Sequence, residues 1–245
     1  MLKNRQLIIN INNRSQKVFL KFCCFYIMIL SLACKQDTSK NTSSLEETTA
    51  ETEQESTENT NAKKIIFFGD SLTAGYGLED VNEAFPGLIQ NKIDALQLDY
   101  SIVNSGVSGE TTSGGKNRID WVLNEEPTIF ILELGANDGL RGVPLTETKA
   151  NLQVIIDTVK KKYPNTVIVL AGMQIPPNMG QDYTSEFKDL FPELAKKNDL
   201  HLIPFLLEDV GGIADLNQSD GIHPTKKGHK ILAENVWNVL EPILK

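Results

Sequence analysis

The chain has 245 residues, 40% of them hydrophobic, with 32 acidic and 24 basic side chains for a formal charge of −8. That length holds about one domain plus appendages, and the acidic balance excludes the basic footprint of a nucleic-acid binder. The three cysteines, Cys23, Cys24 and Cys34, all lie near the N-terminus, so everything beyond Cys34 forms no internal disulfide and is held by its core.

In chain order, residues 1–34 come first. They contain no acidic residue; Lys3, Arg5, Arg14, Lys17 and Lys21 make a basic start, and Phe22 to Ala33 is almost wholly apolar. A basic region, a short apolar run and a small residue before a cysteine read as an export signal. The run falls short of the about 20 residues that span a bilayer. Its end, Leu30-Ser31-Leu32-Ala33-Cys34, resembles a bacterial lipoprotein signal, although Ser31 stands where that family usually has Leu. The resemblance implies that Cys34 becomes the lipidated first residue. Residues 35–62 are rich in Ser, Thr, Glu and Asn, with one Leu and no aromatic. Such a stretch buries too little apolar surface to offset ordering entropy, so it is expected to be a disordered acidic tether.

Residues 63–245 are expected to form the single folded domain. Lys64–Gly69 is a short Ile/Phe run and predicts a buried strand. Ala84–Leu96 places Phe85, Leu88, Ile89, Ile93 and Leu96 at helical intervals. Further strands are predicted at Tyr100–Asn104, Thr128–Leu134, Thr166–Ala171 and His201–Phe205. Helices are predicted at Lys116–Leu123, Glu147–Lys162, Ser185–Lys197 and Lys226–Leu244. Strand and helix alternate, and the strands are near-continuous apolar runs rather than alternating ones. That is the pattern of a parallel sheet covered by helices on both faces.

In such sheets chemistry sits in the loops beyond the strands' carboxyl ends. Four of these loops are unusual: Gly69-Asp70-Ser71, Ser105 to Thr112, Gly135-Ala136-Asn137-Asp138, and Asp220-Gly221-Ile222-His223-Pro224. A serine hydroxyl attacks only if a base takes its proton, and histidine is the usual base. The domain has three histidines. His201 opens a strand and His229 lies in a lysine-rich turn of the last helix, where it is expected to be solvated. His223 lies three residues after Asp220, near enough for the carboxylate to fix the imidazole tautomer. Gly106 and Gly109 could bring a backbone N–H close to a ligand, and Asn137 offers a side-chain amide. Taken singly, each loop reads as an ordinary turn. Four turns on one sheet edge, each with a group that acyl transfer needs, point to a site.

Gly69-Asp70-Ser71-Leu72, Ser108-Gly109-Glu110-Thr111, Gly135-Ala136-Asn137-Asp138 and Asp220-Gly221-Ile222-His223-Pro224 resemble, in this order, the four blocks of the SGNH (GDSL) hydrolases. The resemblance spans Lys64 to Lys245. It implies a flavodoxin-like three-layer α/β/α sandwich on a five-stranded parallel sheet. It implies Ser71 as nucleophile, His223 as base and then acid, and Asp220 as its orienter. The oxyanion hole would be the N–H groups of Ser71 and Gly109 with the Asn137 amide, and neither cofactor nor metal is implied. Gly75-Tyr76-Gly77, Asn137 to Gly142 and Ala171 to Pro176 look like the branch of bacterial thioesterase/lysophospholipase and arylesterase enzymes, with Ala136 where a second glycine is common. The expectation is an exported serine esterase, periplasmic or in the cell envelope and held to a membrane through Cys34. It would act on carboxylic esters or lipids, thioesters and lysophospholipids included. The rival readings are a carbohydrate O-acetyl esterase and an inactive tethered binding module.

Overall fold

The computed structural model describes residues 62–244. The export signal, Cys34 and residues 35–61 of the expected tether lie outside the described residues. Five parallel strands form one sheet: β1 (Lys63–Gly69), β2 (Tyr100–Gly106), β3 (Ile129–Glu133), β4 (Val167–Ala171) and β5 (His201–Ile203), in the order β2-β1-β3-β4-β5. Between and around them run α1 (Ser71–Ala74), α2 (Phe85–Ala95), α3 (Thr112–Val122), α4 (Ala136–Leu140), α5 (Leu145–Lys162), α6 (Gln181–Asn198) and α7 (Lys226–Leu240).

The layers follow from side-chain alternation along the strands. Phe67 points to one face, where its ring meets Phe85 of α2 edge-on at 5.6 Å. Phe68 points to the other face, where Gly115 of α3 lies against it, with Ile155 of α5 also beside that glycine. Right-handed crossovers dictate this division. The chain moves outward from β1 to β2 through α2, then reverses past β1 to β3 through α3, which lands on the opposite face. Among the described residues α2 and α7 cover one face, and α3, α5 and α6 the other. Phe67, Phe68, Phe130, Phe187 and Phe191 are fully buried, each contributing about 1.5–3 kcal/mol of burial free energy. The result is the expected α/β/α sandwich in flavodoxin-like strand order.

Several boundaries move from their sequence-based positions. The helix expected from Lys116 starts at Thr112, because Thr111 caps it by accepting from the Gly114 N–H at 3.3 Å. The strand expected to reach Phe205 stops at Ile203, since Pro204 has no N–H for the ladder. The last helix ends at Leu240, and Pro242 turns the chain into a 3-10 turn over Glu241–Ile243.

One expectation is overturned. His229 is not solvated but 1% exposed. It lies on the apolar face of α7 with Leu232, Ala233 and Val236. Its ring stacks on Phe85 at 6.2 Å, and its Nδ1 accepts the Phe85 N–H at 3.2 Å. A histidine on one helix therefore caps the N-terminus of another, where α2 has no cap from its own chain segment.

Candidate active site

The strand order reverses direction between β1 and β3, the crevice where sheets of this kind hold ligands. Ser71 follows β1 and Asn137 follows β3. Ser71 opens α1, with Asp70 as N-cap accepting the Leu72 N–H on Oδ1 at 3.0 Å. The turn is tight enough to demand glycine at its entry. A Cβ on Gly69 would lie 2.1 Å from Thr73 Oγ1 and 2.4 Å from Glu133 Oε2.

The loop between β5 and α7 brings Asp220 and His223 across to Ser71. Asp220 Oδ1 accepts the backbone N–H groups of Ile222 at 2.9 Å and His223 at 3.0 Å. Its Oδ2 lies 2.7 Å from His223 Nδ1. An ionised carboxylate only accepts, so Nδ1 carries the hydrogen and Nε2 presents a lone pair. That nitrogen lies 2.9 Å from Ser71 Oγ, placed to accept the hydroxyl proton. The bond to His223, followed by the two backbone N–H donors, pulls the Asp220 carboxyl down to about 2.

Other groups hold this loop in place. Gln218 donates its N–H to the His223 carbonyl at 2.7 Å. Its Nε2 donates to the carbonyls of Tyr76 at 2.7 Å and Pro224 at 3.1 Å. The Tyr76 ring lies against the His223 imidazole at 4.5 Å between centroids. Asn217 anchors the loop from below through the carbonyls of Val210 at 2.7 Å and Ile213 at 2.9 Å.

Ser71, Asn137 and His223 line a cavity of about 470 Å³ whose walls include Leu140, Ile175, Pro176, Phe205, Leu207 and Ile222. Apolar walls with a few polar groups at one end suit a small ester with an apolar substituent. Gly109 stands on the neighbouring loop and is not among the residues lining this cavity. It takes φ +78°, a left-handed conformation that favours glycine, and its carbonyl accepts from Arg141 Nη2 at 3.0 Å. Gly106 ends β2, where a Cβ would lie 2.3 Å from the Ala74 nitrogen, so it is needed for close packing. Arg118 steadies the same loop: it pairs with Glu110, donates to the Ser105 carbonyl at 2.8 Å and covers the Phe68 ring at 4.1 Å. Among the described residues no cluster of three or more His, Cys, Asp or Glu side chains could hold a metal ion.

Two carboxyls beneath Ser71 were not singled out by the sequence. Asp70 Oδ2 accepts from Asn137 Nδ2 at 3.0 Å. Burial raises the Asp70 carboxyl to about 6, against the lowering effects of Leu72, Asn137, His223 and Ser71. Glu133 ends β3 and is raised well above the usual range by burial and then by the neighbouring Asp70. The available signal was a lone carboxylate inside the apolar run Ile129-Phe130-Ile131-Leu132-Glu133-Leu134.

The profile of the GDSL-like Lipase/Acylhydrolase family matches residues 67–231. The chain is similar to esterase TesA of Pseudomonas aeruginosa, 37% identical over 184 residues that cover 75% of this chain and 90% of that protein. It is 34% identical to an arylesterase of Vibrio mimicus, over 71% of this chain and 86% of the relative. Thioesterase 1/protease 1/lysophospholipase L1 of Escherichia coli is also 34% identical, over 75% of this chain and 86% of the relative. A crystal structure of TesA superposes with a TM-score of 0.70 at 35% identity, covering 74% of this chain and 99% of that one.

Proposed function

The chain belongs to the GDSL-like Lipase/Acylhydrolase family and is a carboxylic ester hydrolase, and on that premise we propose that it works through an acyl-enzyme on Ser71 with His223 and Asp220 as its proton-transfer partners. The observation that carries this reading is the unbroken line from Ser71 Oγ to His223 Nε2 at 2.9 Å and from His223 Nδ1 to Asp220 Oδ2 at 2.7 Å.

In the first half-reaction Ser71 Oγ attacks the ester carbonyl carbon as its proton passes to His223 Nε2. The charge on the carbonyl oxygen is met by the N–H groups of Ser71 and Gly109 and by the second N–H of Asn137 Nδ2. Ser71 sits in the first turn of α1, where backbone N–H groups have no partner within the helix. The bond to the alcohol then breaks, and the alcohol leaves with the proton from Nε2. In the second half-reaction His223 takes a proton from water, the hydroxide attacks the acyl carbon, and Ser71 regains its proton as the acid leaves. Asp220 holds the imidazole tautomer throughout and stabilises the imidazolium.

The apolar walls of the cavity favour esters with an acyl or aryl group of moderate size, and the names of the relatives extend the proposal to thioesters and lysophospholipids. The basic start and short apolar run of the N-terminal sequence support, in this proposal, a protein exported from the cytoplasm and tethered to a membrane by lipid on Cys34. Cys34→Ser would then move the protein from the membrane to the soluble fraction, and unchanged membrane recovery would count against the anchor.

Hydrolysis of p-nitrophenyl esters of increasing acyl length tests the catalytic proposal, with Ser71→Ala as control. The expected result is turnover that the variant loses by about 10⁴–10⁶-fold. Equal background rates in both proteins would leave a binding module. Turnover confined to acetates, with strong release of acetate from acetylated sugars, would point to a carbohydrate esterase.

A further inference from the structure

Asp70 and Glu133 are each 1% exposed, and the mechanism above uses neither as acid or base. Glu133 Oε2 accepts the Thr73 hydroxyl at 2.7 Å and the Asp70 N–H at 3.2 Å. Its Oε1 is buried and has no hydrogen-bond partner. Asp70 is better supplied: Oδ1 accepts the Leu72 N–H at 3.0 Å, and Oδ2 accepts from Asn137 Nδ2 at 3.0 Å.

Two carboxyls this close, both out of water, do not both ionise. An ionised carboxylate spreads its charge over two oxygens and needs donors on each. Asp70 has donors on both and Glu133 on one only. The charged groups of neighbouring elements do not change this balance. Arg118 of α3 donates to the Gly69 carbonyl at 3.4 Å, but its charge is matched by Glu110. Asp138 of α4 turns to the Thr112 N–H at 2.8 Å and hydroxyl at 2.5 Å, and to the Thr148 hydroxyl at 3.4 Å. His223 stands on the Asp70 side.

We propose that Glu133 is a positioning residue that stays protonated at neutral pH, leaving the pair's single negative charge on Asp70, where it fixes the orientation of the Asn137 amide. The amide nitrogen has two hydrogens. One is held by Asp70 and the other is presented to the cavity. Turned over, the amide would set Oδ1 against the carboxylate and offer no donor to an oxyanion. Placing the single charge on Glu133 instead would leave the proton on Asp70 and loosen its hold on the amide. The burial that raises both carboxyls supports the sharing of one proton.

The catalytic consequence rests on the esterase reading; the protonation state does not. Infrared spectra of the full-length protein at pH 7.5 test it, because a neutral carboxyl has a C=O stretch that moves on deuteration. A band shifted by [¹³C]glutamate but not by [¹³C]aspartate, and lost in Glu133→Gln, is the expected result. Absence of any glutamate-sensitive band would overturn the proposal even in an active enzyme. Should the variant fail to fold, the isotope shift in the wild type decides alone. On p-nitrophenyl butyrate, Asp70→Asn should lower kcat by up to the roughly 10²-fold cost of one oxyanion donor, with KM little changed. Glu133→Ala should lower kcat as well, and the neutral isostere in Glu133→Gln should rescue most of that loss. A Glu133→Gln enzyme as slow as Glu133→Ala would overturn the proposal. An inactive wild type with the glutamate band intact would sink the esterase reading and leave the protonation assignment standing.

Discussion

Acidification turns the cap of α2 against the fold. His229 holds the Phe85 N–H only while Nδ1 carries a lone pair. Protonation converts that acceptor into a donor facing another donor, and it puts positive charge at the positive end of a helix. Burial, followed by the charge of His223, lowers the His229 imidazole from 6.5 to about 4. The sign is then fixed. The unfolded chain takes up the proton near 6.5 and the folded protein only near 4, so the contribution is complete above 6.5 and is lost as pH falls to about 4. At about 1.4 kcal/mol per tenfold change, the loss across that window is about 3 kcal/mol. Asp70 acts in the opposite sense. Raised from 3.8 to about 6, it adds stability below 3.8 that disappears as pH rises through about 6. A comparison between proteins removes it. Urea unfolding of the wild type and of His229→Asn, from pH 7.5 to pH 4, isolates the imidazole, since asparagine offers an acceptor oxygen near the Nδ1 position and does not titrate. The wild type should lose about 3 kcal/mol more than the variant over this range. Stability curves that stay parallel to within about 0.5 kcal/mol would refute the capping argument.

Three further outcomes follow from the site. Asp220→Asn leaves His223 without its tautomer anchor and should lower kcat by about 10²–10⁴-fold with the circular dichroism spectrum unchanged. Gln218→Ala removes the contacts that tie the His223 loop to Tyr76 and Pro224. It should reduce kcat by up to about 10²-fold while thermal unfolding shifts by only a few degrees. Gly109→Ala places a side chain at φ +78°, costing about 1–2 kcal/mol of backbone strain. Turnover should fall with it, and a fully active Gly109→Ala enzyme would remove this loop from oxyanion binding.

The inner strands β1, β3 and β4 were legible because a strand buried on both faces needs an unbroken apolar run, while the edge strands β2 and β5 carry polar residues among shorter apolar stretches. Helix starts were less legible. Gly114 and Gly115 dilute the first turns of α3, yet Gly115 is required there: a Cβ would lie 2.4 Å from Leu134 and 3.1 Å from Phe68. α6 begins at Gln181, four residues before the expected Ser185, and it contains Pro192. In the site, the Asp220–His223 pair could be read from its three-residue spacing because both partners share one turn. The contact of Gln218 with Tyr76 joins positions 142 apart in sequence, and the cap from His229 to Phe85 spans 144. No local pattern encodes such pairs. Glu133 looked like one more strand residue, since its meaning depends on Asp70 lying beside it.

The two halves of the proposed proton-transfer line hang from supports of unequal stiffness. Ser71 rides on β1, paired on both sides over most of its length. His223 belongs to a long excursion after the three-residue edge strand β5, latched chiefly by the amides of Asn217 and Gln218. Warming should therefore unhook the imidazole while the sheet remains intact. The enzyme would fall silent reversibly, several degrees before its heat-absorption peak, and cooling would restore it without refolding.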